Sequence, residues 1–127
     1  MHKEQLVAVI GEYYTSIGVE PDYSTRKSEQ SQSRAAMMCA LRDTITATDT
    51  ARLFGKNHAT VLHHKKCHDA NMDCWDGYRE KYEIARSMVN INLRARTVQS
   101  QIERIEDQIE RLSISADKLR KSIQLNS

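Results

Sequence analysis

The sequence predicts an all-α protein: a helix-turn-helix domain followed by a long coiled-coil helix. Only one proline and four glycines occur in 127 residues, so little interrupts helices. Apolar residues recur three and four apart along most of the chain. From Met88 onward that recurrence becomes an unbroken heptad. The expected division is residues 1–74 for the helix-turn-helix domain and 75–127 for the long helix with its oligomerisation segment.

Leu6, Val9, Ile10, Tyr13, Tyr14 and Ile17 share helical spacing and predict a first helix over about Lys3 to Ser16. Gly18 and Pro21 break it. The polar run Asp22 to Ser33 is expected as a connector or partly helical arm. A second helix follows over Arg34 to Ile45, with Ala36, Met37, Ala40 and Leu41 in the core. Thr46 and Asp49 have capping-box spacing, which starts a third helix over Ala47 to Phe54 with Ala51, Leu53 and Phe54 buried. Gly55 ends that helix, and Lys56 and Asn57 form a tight turn. Asn57 is a good N-cap for a fourth helix over His58 to Asp69, anchored by Val61 and Leu62. Ala70 to Asp73 reads as a turn, after which Trp75, Tyr78 and Tyr82 are expected to cover the core from outside.

The heptad places Met88, Ala95, Ile102, Ile109, Ala116 and Ile123 at one seam position and Ile91, Val98, Ile105, Leu112 and Leu119 at the other. No glycine or proline interrupts Tyr78 to Ser127. A helix of about 45 residues, at ~1.5 Å each, would be on the order of 70 Å long. The seam implies a homo-oligomer held by Val98, Ile102, Ile105, Ile109, Leu112, Leu119 and Ile123. Isoleucine at both central seam positions weakens any preference for two strands. A dimer is still the first expectation.

Composition excludes several classes. No apolar run approaches the ~20 residues that cross a bilayer. The amino-terminal stretch patterns as an amphipathic helix rather than a signal peptide. Cys39, Cys67 and Cys74 lack a disulfide-framework spacing, which suits a reducing cytoplasm. His63, His64, Cys67, His68 and Cys74 invite a zinc reading, but no second C-x-x-C or spaced histidine pair completes a standard four-ligand set. Neither a metal nor a cofactor is expected. Nothing orients a nucleophile and base together, and no G-x-x-x-x-G-K-[ST] loop is present, so neither catalysis nor nucleotide hydrolysis is expected. The net charge of +2 hides an asymmetry: Ser24 to Lys66 holds eight Lys/Arg against three acids, whereas Cys67 to Asn90 holds three against five. A basic patch around a helix-turn-helix is the electrostatic footprint of a nucleic-acid binder.

Phe54 to His64 read FGKNHATVLHH. This run resembles the signature of the DNA-binding domain of the bacterial replication initiator DnaA, which usually reads close to F-G-G-R-D-H-T-T-V-L-H. The resemblance covers roughly Lys3 to Tyr82. The turn has one glycine where the family usually has two, Asn57 replaces an aspartate and Ala59 a threonine. These departures bear on the preferred DNA sequence rather than on the fold. In such a unit the first residues of the second helix meet base edges in the major groove. His58 and Thr60 can bond base edges, Ala59 can pack on a thymine methyl, and Lys56, Lys65 and Lys66 can reach phosphates. His63 matches a family residue. The resemblance also implies a minor-groove role for a basic residue at the start of the second helix, with Arg34 the candidate behind Arg26 and Lys27. The expected partner is double-stranded DNA, in the control of transcription or replication in a bacterium or bacteriophage. The rival expectations are a viral genome-packaging recognition subunit and a protein-interaction adaptor that no longer binds DNA.

Overall fold

A computed structural model describes residues 2–125 of the chain. The described residues form five helices and no strand: α1 (Lys3–Ile17), α2 (Ser28–Ala40), α3 (Ala47–Phe54), α4 (His58–Cys74) and α5 (Tyr78–Leu125). The chain divides into a compact unit that reaches Asn92 and a second unit that begins at Leu93.

Within the compact unit α2 is the central helix. Every residue from Gln32 to Leu41 is buried. α1 and α4 pack on α2, and α3 packs on α4. Leu6, Val9, Ile10, Tyr13 and Tyr14 bury the expected face of α1. The Tyr13 hydroxyl donates to the Ser33 carbonyl at 2.9 Å, which joins α1 to α2 through a buried bond.

Three boundaries differ from expectation. α2 starts at Ser28, so half of the anticipated connector is helical. The polar run has no apolar period, yet its last two residues, Gln32 and Ser33, are buried with their polar groups paired. Ser33 Oγ donates to the Glu29 carbonyl at 2.7 Å, and Gln32 Nε2 donates to the Asp76 carbonyl at 2.7 Å. α2 also stops at Ala40 rather than Ile45. Arg86 Nη1 donates to the Ala40 carbonyl at 2.9 Å and satisfies an acceptor the helix end leaves open. α4 continues to Cys74, so Ala70 to Asp73 is helix and not a turn. The break falls instead at Trp75 to Gly77, where Gly77 has φ +85°.

Three core assignments differ as well: Leu53, expected in the core with Ala51 and Phe54, is only half-buried. Tyr78 is fully buried against Ala35 and Ala36 rather than covering them from outside, while Met72, Trp75 and Tyr82 flank that cluster half-buried. Leu62 does not enter the core: it is 49% exposed, whereas its neighbour Val61 is fully buried.

Candidate nucleic-acid interface

The α3–α4 unit is set by caps that the sequence encodes. Thr46 Oγ1 accepts the Asp49 N–H at 3.1 Å and starts α3. Gly55 ends it at φ +62°, a left-handed conformation that disfavours a β-carbon, and the Lys56 N–H returns to the Ala51 carbonyl at 2.9 Å. Asn57 Oδ1 then accepts the Ala59 N–H at 2.9 Å and starts α4. Val61 and His68 are buried on the inner side of α4. The outward face therefore presents His58, Ala59, Leu62, His63 and Lys66.

Charge changes along that face. The first turn of α4 carries no acid, and its N-terminal end has the partial positive charge of a helix start. Exposed acids appear only at Asp69 and Asp73. The stretch from His58 to Lys66 is thus free of negative side chains, which lie beyond it. Lys56 lies half-exposed on the turn.

The expected site residues are distributed as follows. Lys56, Asn57, His58, Ala59, His63 and Lys66 share this surface. Thr60 and Lys65 are half-buried on the flanks of α4. Arg34 is placed differently from what the resemblance implies. It is 6% exposed, and its guanidinium donates to the carbonyls of Asp22 (2.9 Å) and Thr25 (2.7 Å) and to Ser31 Oγ at 3.3 Å. It pins the segment before α2, while Arg26 and Lys27 stay exposed.

The histidines and cysteines separate. His63 Nε2 lies 3.7 Å from Cys67 Sγ on the exposed side. His68 Nδ1 lies 2.7 Å from the Tyr78 hydroxyl in the interior, and Cys39 is buried. Among the described residues no three His, Cys, Asp or Glu side chains converge as a metal site. Burial, with His63 and Arg34 adding to it, holds His64 below the usual histidine range. Burial and Arg42 do the same to His68, against a smaller opposing effect of Asp69.

Sequence reasoning missed Leu62 as a surface residue. The available signal was its adjacency to Val61: neighbours on a helix point about 100° apart, so a narrow apolar face takes one of them.

The seam of α5 is open to solvent from Val98 to Ile123, with its large apolar residues 43–69% exposed. No described helix is long and apolar enough to cross a membrane. Comparison with protein-family models, curated proteins and solved structures finds no match for the chain.

Proposed function

We propose that the chain is a sequence-preferring double-stranded DNA-binding protein that acts as a homo-oligomer and regulates transcription or replication in a bacterium or bacteriophage. One observation carries the reading: the acid-free, Asn57-capped start of α4 turns His58, Ala59, His63 and Lys66 outward. The resemblance of Phe54 to His64 to the initiator signature supports it. In this role His58 offers a donor to a base edge, while Lys56 and Lys66 hold the backbone without reading sequence. Lys65 can extend to a phosphate from the flank.

The oligomer reading rests on the exposed seam and on what flanks it. The flanking positions are mainly neutral: Gln99, Gln101, Gln108, Ser113, Ser115 and Ser122. Charges collect on the far side, with Glu103, Glu110 and Asp117 beside Arg104, Arg111 and Lys118. A second copy of the helix therefore meets little like charge across the seam. Isoleucine at both central seam positions weakens the preference for two strands, and a dimer remains the first expectation. A ring of many copies would point to the genome-packaging reading.

The test is selection from a random duplex pool, followed by binding of selected and random duplexes across a salt series. His58→Ala is expected to cost about 1–3 kcal/mol on the selected site and little on random DNA. Lys65→Ala with Lys66→Ala is expected to weaken both and to lower the slope of log K against log salt by up to ~0.9 per lost phosphate contact. Absence of any salt-sensitive affinity would favour the adaptor reading.

A further inference from the structure

Among the described residues, Leu62 is one of three large apolar side chains that the compact unit leaves exposed, with Val7 (54%) and Ile91 (63%). Ile91 belongs to the heptad seam, and Val7 sits on α1. Leu62 alone lies on the α4 face. It occupies the middle of the acid-free stretch, one turn after Ala59 and one turn before Lys66, with His58 and His63 beside it. Water gains nothing from that side chain, and a phosphate has no bond to make with it. The surrounding cations nevertheless suit a polyanion, and an apolar group carried by one can cover the leucine.

We infer that Leu62, with Ala59, reads the 5-methyl groups of thymines in the major groove; the inference rests on the duplex-binding reading above. The thymine methyl is the apolar group that base pairs present in that groove. The β-carbons of residues one turn apart are about 5–6 Å from each other. Bases follow at about 3.4 Å per step along a strand. The two contacts therefore fall on base pairs one or two steps apart. Preferred sites carry thymine at both.

The experiment uses the full chain and a selected duplex in which each thymine is replaced singly by deoxyuridine, which removes only the methyl. Binding of the wild type is expected to weaken about fourfold at one or two positions lying one or two steps apart, the factor that burial of a single methyl is worth. Leu62→Ala is expected to bind thymine and deoxyuridine duplexes equally at one of those positions, with helicity and salt slope unchanged. Leu62→Gln, nearer in volume and a good helix former, is the second variant and has the same expected outcome. A wild type indifferent to every replacement overturns the inference and leaves duplex binding standing. Sensitivity that survives in both variants assigns the methyl contact to other residues and overturns it too. A chain that binds no duplex at any salt removes the functional reading and the inference together.

Discussion

Between Tyr78 and Asn92, α5 buries Tyr78, Ala85 and Val89 completely, whereas between Leu93 and Leu125 it leaves Val98, Ile105 and Leu112 more than half exposed. The polar side chains differ in the same way. In the first stretch they reach distant parts of the fold: Lys81 Nζ donates to Gln32 Oε1 at 2.7 Å, and Arg86 pairs with Asp43 at 3.3 Å. In the second, the ion pairs are local, Arg111 with Asp107 at 3.0 Å and Arg120 with Asp117 at 3.2 Å. Exposed pairs of that kind contribute about 0.3–0.5 kcal/mol each. Helical stability in proteins comes mostly from packing an apolar face. The compact unit supplies that packing internally. The second stretch holds an equally regular face, and self-association is the proposed way to cover it.

The largest effect that separates the two stretches is expected from Ile105→Glu with Ile109→Glu. Full burial of an isoleucine is worth about 1.5–3 kcal/mol, and a carboxylate in the seam adds a desolvation cost. The double variant is expected to be monomeric by sedimentation, to lose helicity in the second stretch and to keep a folded compact unit. Its DNA affinity is expected to fall, because each head loses the effective concentration that linkage supplies. A wild type that is monomeric at micromolar concentration would defeat the oligomer proposal. A wild-type mass of three or more chains would replace the dimer expectation.

The sequence carries some of these features openly and others only in combination. Thr46, Gly55 and Asn57 act through their own backbone neighbourhoods, so α3 and the start of α4 are legible from local chemistry. The start of α2 is not, because Gln32 and Ser33 are buried by partners up to forty-four residues away, and no local period marks that. Arg34 reads as a surface charge until Asp22 and Thr25 are seen to fold over it. The end of α4 was legible but misplaced. Asp76-Gly77 is a turn dipeptide, and its left-handed glycine outweighs the polar run Ala70 to Asp73. The heptad is visible in the sequence, and the fold leaves its seam exposed from Val98 to Ile123.

Arg34→Ala gives the next largest effect and acts on the compact unit alone. It removes charge-assisted bonds to two backbone carbonyls, at a cost of roughly 3 kcal/mol. The expected outcome is a lower urea midpoint for the compact unit with an unchanged oligomer mass. On duplexes, the variant while still folded is expected to keep the wild-type salt slope. A slope lowered by about one phosphate contact in a fully folded variant would return Arg34 to the proposed DNA interface.

The smallest effect is a pH dependence confined to the same unit. His68 is buried, with its Nδ1 2.7 Å from the Tyr78 hydroxyl and its ring 4.4 Å from that of Tyr82. Burial and Arg42 hold its pKa below the ordinary 6.5. The unfolded chain therefore takes up a proton near pH 6.5 that the folded chain refuses until the pH is lower. The stabilisation is fully present above that range and is lost as the pH falls through it. His64 shifts in the same direction and adds to the loss. Urea midpoints of the compact unit are expected to decline from pH 7.5 to pH 5, and His68→Gln is expected to flatten the decline. Tyr78→Phe is expected to cost about 1 kcal/mol at pH 7.5 through the lost hydroxyl bond. The segment from Leu93 onward contains no histidine, so oligomer mass is not expected to follow this transition. A midpoint that stays level to pH 5 would show that neither imidazole is kept neutral by the fold, and an oligomer that dissociates along the same curve would show that the two stretches of α5 are not independent.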